Sequence, residues 1–265
     1  MKVGVSTASL FTRKNNEDAL PLLQSMGIKT VEVFLTSFSE YGYPFADLLK
    51  ERKGGLEVNS VHDLNTQFEP QLFNAHARVK ADAYSLLDKV LDSANALGAP
   101  YYTFHGTSRV KRSTHSGKYD DFPRMIEGFA ELTAYCKARG VRLCLENVEW
   151  STYNRPGVFK KLADEIPELG GVLDIKQARI SEYPYEAYIK EMGEKLKYAH
   201  LSDFGDRGMC LPGKGNFDFQ TLLLRLKDVG FDGALIIEAY QKDYTDPIEL
   251  KRSCEYLEEL IYKFE

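Results

Sequence analysis

The stretch FPRMIEGFAELTAYCKARGVRLCLEN, residues 122–147, decides how the chain folds. Its first part, Phe122–Ala138, spaces apolar residues as an amphipathic helix does. Arg139-Gly140 follows, with Gly where a helix C-cap demands one. Val141–Glu146 is then a short apolar run that ends abruptly on Glu146-Asn147, which reads as a buried strand meeting a polar rim. Helix, glycine, strand and polar end form one step of a parallel α/β fold, and the same step recurs along the chain.

The strand candidates are Val3–Thr7, Thr30–Phe34, Glu57–His62, Pro100–His105, Val141–Glu146, Gly171–Asp174, Tyr198–His200 and Ala234–Glu238. Between and after them lie helical patterns over Asn16–Met26, Phe45–Lys53, Ala77–Leu97, Phe122–Ala138, Val158–Glu165, Glu182–Met192, Phe217–Val229 and Pro247–Tyr262. The joints Met26-Gly27, Leu97-Gly98, Arg139-Gly140, Leu169-Gly170 and Val229-Gly230 each place Gly after a helical pattern and before a strand. Pro247 sits where a first helical turn tolerates it. Eight such units in 265 residues, with no Gly/Ser-rich linker and no low-complexity stretch, predict a single (β/α)8 TIM barrel over residues 1–265. An open, doubly wound sheet is the alternative.

Composition narrows the function classes. Lys plus Arg (34) against Asp plus Glu (39) gives a net charge of −5, which argues against a broad nucleic-acid-tracking surface. No apolar run has the length of a membrane span, and residues 1–10 read as a first strand rather than a secretory signal. The four cysteines, at 136, 144, 210 and 254, form no C-x-x-C pair. Cys136 and Cys144 fall in apolar patterns as reduced core residues, and Cys210 falls in a polar loop. This usage fits a cytoplasmic enzyme better than a disulfide-stapled secreted domain.

In barrels of this type the active site lies at the C-terminal strand ends. Six successive strands end in a residue able to bind metal or move a proton: His62, His105, Glu146, Asp174, His200 and Glu238. Three of the five histidines in the chain are among them. One ionisable residue at a strand end can simply mark where polarity begins. Six converging on one rim would repel or compete for protons, and a divalent cation is the simplest way to hold the carboxylates there ionised.

The runs Leu145-Glu146-Asn147-Val148, Leu173-Asp174, His200-Leu201-Ser202-Asp203 and Ile236-Ile237-Glu238 resemble those of the sugar isomerase/epimerase superfamily. These are xylose isomerase-like barrels that include ketose epimerases, hydroxypyruvate isomerase, inosose dehydratase and the endonuclease IV class. The resemblance spans essentially the whole chain. It implies that Glu146, Asp174, His200 and Glu238 bind one divalent metal ion. Three carboxylates and one imidazole suit Mn²⁺, Mg²⁺ or Co²⁺, with Zn²⁺ a further candidate. The resemblance also implies that Glu146 and Glu238 are the catalytic acid/base pair. The expected reaction is proton transfer beside a carbonyl through a metal-bound enediolate, in a sugar or sugar-phosphate isomerase or epimerase. An inosose- or keto-sugar dehydratase would share the first step.

The endonuclease class adds ligands that this chain lacks. Where those relatives have His three residues after the strand-six Asp, this chain has Gln177, and where they have Asp-Arg-His it reads Asp206-Arg207-Gly208. A DNA-repair role and a non-catalytic sugar-binding barrel are therefore the lesser alternatives. His62, His105, Trp150, Gln177 and Arg207 are expected to contact substrate: the histidines and Gln177 by hydrogen bonds, Trp150 by stacking on a sugar face, Arg207 by charge. Each also has a plain alternative as a packed or solvent-facing residue. Phe11 is a weaker candidate of the same kind as Trp150. The basic stretch Arg109–Lys118 could recruit a sugar phosphate or simply face water. Gly213-Lys214-Gly215 could let the backbone approach a ligand. The expected partner is a small sugar or sugar phosphate, with nucleic acid and membrane disfavoured. Barrels of this kind often associate, so a homo-oligomer lies within the expectation.

Overall fold

A computed structural model of the chain describes residues 1–64, 68–107 and 122–264. In chain order the elements are β1 (Lys2–Ser6), α1 (Asn16–Ser25), β2 (Thr30–Leu35), α2 (Phe45–Arg52), β3 (Glu57–Asp63), α3 (Ala77–Leu97), β4 (Tyr101–Phe104), α4 (Phe122–Ala138), β5 (Arg142–Glu146) and α5 (Val158–Glu165). There follow β6 (Gly170–Asp174), α6 (Ile175–Ile180), α7 (Tyr185–Met192), β7 (Leu196–Leu201), β8 (Asp203–Gly205), β9 (Gly208–Cys210), α8 (Phe219–Asp228), β10 (Ala234–Ile237) and α9 (Ile248–Phe264). Eight strands close into a barrel in the order β1-β10-β7-β6-β5-β4-β3-β2, and β8 and β9 form a separate antiparallel hairpin. Every barrel pair is parallel, so all eight C-terminal ends share one rim.

Period-two alternation gives the barrel two apolar faces. The outward set, including Leu143, Leu145, Leu173, Ala199, Leu201, Leu235 and Ile237, merges with the helices into one core. The inward set is Cys144, Val172, Tyr198, Ala234 and Ile236, with Tyr101 against it. Tyr101 on β4 stacks on Tyr198 of β7 with centroids 5.6 Å apart. Those strands are not neighbours, so this contact crosses the barrel interior and marks it as a packed core.

Gly98 caps α3 in the left-handed region, and Gly27, Gly140 and Gly230 likewise take positive φ after their helices. Gly170 does not. The α5 helix stops at Glu165, and Gly170 opens β6 instead of capping a helix. It is small for a packing reason, because a Cβ there would lie 2.5 Å from Cys144 Sγ. The predicted Glu182–Met192 and Phe217–Val229 helices start later, at Tyr185 behind Pro184 and at Phe219 behind the Asp218 N-cap. The α6 helix and the β8–β9 hairpin had no counterpart in the sequence reading. All four cysteines are free, and Cys136, Cys144 and Cys254 are buried. Among the described residues no helix is long and apolar enough to cross a membrane.

Candidate metal centre

Inward-facing positions along each strand deliver the site. Glu146 lies two residues beyond Cys144, Asp174 two beyond Val172, His200 two beyond Tyr198, and Glu238 two beyond Ile236. Cys144, Val172, Tyr198 and Ile236 of the barrel interior are thus each followed, one pleat later, by a polar group on the rim. Register aligns them, with Asp174 paired to His200 across β6–β7 and Ile236 paired to His200 across β10–β7. Asn147 fixes the β5 and β6 ends together: its amide donates to Asp174 O and accepts from Asp174 N, both at 2.8 Å. Glu146, Asp174, His200 and Glu238 each offer one donor atom, and these atoms lie within 4.8 Å of one another.

His200 is held from both sides. Its Nδ1 lies 2.9 Å from Glu146 Oε1 and 3.9 Å from Glu238 Oε2, whereas its Nε2 lies 3.0 Å from Glu32 Oε2. Glu32, fully buried on β2, also accepts from Ser60 and Thr103, each at 2.8 Å. An Nε2–H donated to Glu32 leaves Nδ1 facing the other three donors, the arrangement by which an outer carboxylate orients a ligating histidine. Burial opposes ionisation of Glu32, but His200 and His62 hold its carboxyl well below the usual range. Burial likewise opposes the charged imidazole of His200, and Glu32, Glu238 and Glu146 outweigh it.

The β3–β4 side of the rim is a second hydrogen-bonded chain, and it meets the first where His105 Nε2 lies 3.5 Å from Glu146 Oε2 and His62 Nδ1 lies 3.6 Å from Glu238 Oε1. His62 Nε2 and His105 Nε2 are 2.8 Å apart. Glu69, buried in the short helix Glu69–Phe73, lies 3.2 Å from His105 Nδ1 and accepts from the His105 backbone N–H at 3.1 Å. The Tyr102 hydroxyl stands 3.0 Å from Glu69 Oε1 and 2.6 Å from Asp63 Oδ2. Burial and the neighbouring Glu69 push Asp63 up to about 7. A protonated Asp63 can therefore donate to Tyr102, and Tyr102 to Glu69. Burial works against the charge of His105, yet Glu69, Glu146 and Asp63 raise it to about 9.

The Lys176 ammonium lies among the carboxylates, 3.0 Å from Glu238 Oε2 and 3.5 Å from Asp174 Oδ2. Burial would raise Glu238, but Lys176 and His200 bring it down to about 2. Burial raises Asp174 to about 6, with Lys176 opposing and Glu146 and Glu238 adding to the rise. The other oxygen of Asp174 caps α6, accepting from Gln177 N at 2.9 Å.

A cavity of about 420 Å³ opens above this floor. His62, His105, Glu146, Asp174, Gln177 and Glu238 line it, and Trp150, Phe11, Phe34 and Tyr240 form aromatic walls. His200 lies beneath the floor, bonded to Glu146. Trp150 is 37% exposed, with its ring 5.7 Å from that of His105. Gln177 accepts from Glu149 N at 3.2 Å, which leaves its NH₂ as the group able to donate. Arg207 is not brought to the cavity. It stands exposed at the turn between β8 and β9. The basic stretch Arg109–Lys118 lies outside the described residues. The Gly213-Lys214-Gly215 loop lies against Asp203: Asp203 accepts from the backbone of Phe204, Gly213, Gly215 and Phe217, and a Cβ on Gly215 would collide with its Oδ1.

Glu32, Glu69 and Lys176 escaped the sequence reading. Glu32 stands mid-strand in an apolar run, and that was a usable signal, since a buried carboxylate needs a partner. Glu69 and Lys176 sit in short helices whose sequence looks like ordinary polar surface.

Donor chemistry decides whether the four converging groups fit a metal ion. Three carboxylates and one imidazole form an oxygen-rich set that could hold a divalent cation. The orienting bond from Glu32 to His200 adds the support such a ligand usually has.

A family model described as "Xylose isomerase-like TIM barrel" matches residues 20–260. The D-psicose 3-epimerase of Agrobacterium fabrum is 21% identical over 226 residues, covering 82% of this chain and 76% of that protein. Among solved structures, D-psicose 3-epimerase with D-tagatose from Clostridium cellulolyticum H10 superposes with a TM-score of 0.77 at 18% identity, covering 99% of both chains. An IOLI protein with a binding zinc atom gives 0.79 at 16% identity, covering 100% of this chain and 99% of that one. With the closed parallel barrel and the matched span together, the chain belongs to the xylose isomerase-like TIM barrel family.

Proposed function

We propose that the protein is a divalent-metal-dependent sugar or sugar-phosphate isomerase of the ketose epimerase type. One observation carries this reading. Glu146 on β5 and Glu238 beyond β10 come from strands separated by β6 and β7, and their carboxylates meet with Asp174 on the floor of one cavity, over the buried His200. Glu146, Asp174, His200 and Glu238 would hold the ion, which when bound polarises a carbonyl and stabilises negative charge beside it.

The protein groups do the proton work. Glu238, held ionised by Lys176 and His200, suits the base that takes a proton from the hydroxyl-bearing carbon next to the ketone. Glu146, reached from the opposite part of the rim, suits the acid that returns a proton to the other face. Return to the same carbon inverts it, whereas return to the former carbonyl carbon isomerises an aldose and a ketose. Gln177 can donate its NH₂ to a substrate oxygen, and His105, kept cationic by Glu69, can do so where the substrate takes the place of His62 on its Nε2–H. Trp150, Phe11, Phe34 and Tyr240 offer planes for the C–H face of a sugar. The epimerase relative and structural neighbours support the choice of a ketose.

The test is solvent proton exchange. Protein supplied with Mn²⁺ is incubated in ²H₂O with D-psicose, D-fructose, D-tagatose and ketose phosphates, and the carbons are followed by NMR. Deuterium at C3 with inversion is expected. Loss of a hydroxyl group would move the reading to dehydration, and no exchange with any ketose would overturn it.

A further inference from the structure

Among the described residues, Lys176 is the only Lys or Arg that lines the cavity. It is 5% exposed, and a lysine this buried is rare unless paired. Its Nζ is shared between Glu238 at 3.0 Å and Asp174 at 3.5 Å, and lies 4.7 Å from the centre of the Tyr240 ring. The remaining two members of the converging set hold each other, His200 Nδ1 to Glu146 Oε1 at 2.9 Å. The four groups are thus already divided into two satisfied pairs, one of which depends on a side-chain cation.

We infer that Lys176 is a built-in counter-cation of the centre, competing with the divalent ion for Glu238 and Asp174 and so setting how tightly that ion is held. The inference rests on reading Glu146, Asp174, His200 and Glu238 as the ligands. An ion that takes up Glu238 and Asp174 either displaces the ammonium or stays beside it as a like charge in a buried site, and both lower its affinity. Lys176 also keeps two buried carboxylates from being left uncompensated when no ion is bound. Its flexible stem, anchored two residues beyond Asp174 on α6, and the adjacent Tyr240 face give the ammonium somewhere to turn.

The experiment is a Mn²⁺ titration of the chelator-stripped full chain, with free Mn²⁺ counted by electron paramagnetic resonance. Melting temperatures are taken with and without the ion. Lys176→Met keeps the apolar stem and removes the charge, whereas Lys176→Arg keeps the charge. Lys176→Met should bind Mn²⁺ about tenfold tighter than the wild type or better. It should melt lower without the ion and gain more from adding it, while Lys176→Arg stays near the wild type. Should Lys176→Met not give folded metal-free protein, Lys176→Gln carries the same expectation. A Kd for Mn²⁺ that is unchanged or weaker on removing the charge overturns the inference and leaves the ligand assignment standing. If neither wild type nor variant retains any ion, both fall together.

Discussion

The two sides of the barrel rim use the same residue types to different ends. On the β2–β4 side, Glu32, Asp63 and Glu69 each have a hydrogen-bond partner of their own within the protein: His200, Tyr102 and His105 respectively. On the β5–β10 side, Glu146, Asp174 and Glu238 converge with His200 on one point and share a single ammonium, Lys176. A carboxylate with its own donor is a fixed part of the wall. Carboxylates that outnumber their cations can accept another one. The difference therefore separates a supporting side, which sets orientation and charge, from a binding side, which could hold the ion and exchange protons.

Substitutions can break this division. The largest effect is expected on the binding side: Glu238→Gln or Glu146→Gln should cut turnover by about 10²–10⁴-fold, with an unchanged circular dichroism spectrum. If turnover persists in both, the carboxylates do not move the proton. On the supporting side the readout is stability against pH. The folded-state pKa of His105, about 9, lies above the unfolded value of roughly 6.5, so its contribution is complete below the lower value and is lost as pH rises through the higher one. This is on the order of 3 kcal/mol at most. Metal-free protein should therefore melt progressively lower from about pH 6.5 to 9. Glu69→Gln should flatten that slope, and a slope that survives the change would show that Glu69 does not hold the charge.

Smaller effects test the joints between the two sides. Asn147→Ala leaves the Asp174 N–H and C=O without their buried partner and should cost about 2–4 kcal/mol in denaturant unfolding. An unaffected midpoint would mean that β5 and β6 are aligned by the sheet alone. Glu32→Gln removes the anion that orients His200 and should weaken Mn²⁺ binding by about 10–100-fold without changing the stoichiometry. Unaltered affinity would make Glu32 part of the packing only.

The barrel could be read from the sequence because each βα step carries its own local signals. The capping glycines at 27, 98, 140 and 230 take the positive φ that their positions suggest. Gly170 misled because a glycine forced by close packing against Cys144 is indistinguishable in sequence from a cap. The rim residues were legible wherever a strand ends on them, and Glu146, Asp174, His200 and Glu238 do meet in space. Lys176 was not, because nothing in Asp174-Ile175-Lys176-Gln177 shows that a six-residue helix starts there and turns the lysine inward. Glu69 was hidden for a related reason, since its partner His105 is 36 residues away. Arg207, near the rim in sequence, stands exposed on the β8–β9 turn and is not among the residues that line the cavity.

The most direct measurement is metal content by elemental analysis after equilibration with Mn²⁺ or Zn²⁺ and removal of free ion, for wild type and Asp174→Asn. One ion per chain in the wild type, largely lost in the variant, is the predicted result. Several zinc ions per chain, or one ion retained undiminished in Asp174→Asn, would contradict a single centre built on Glu146, Asp174, His200 and Glu238.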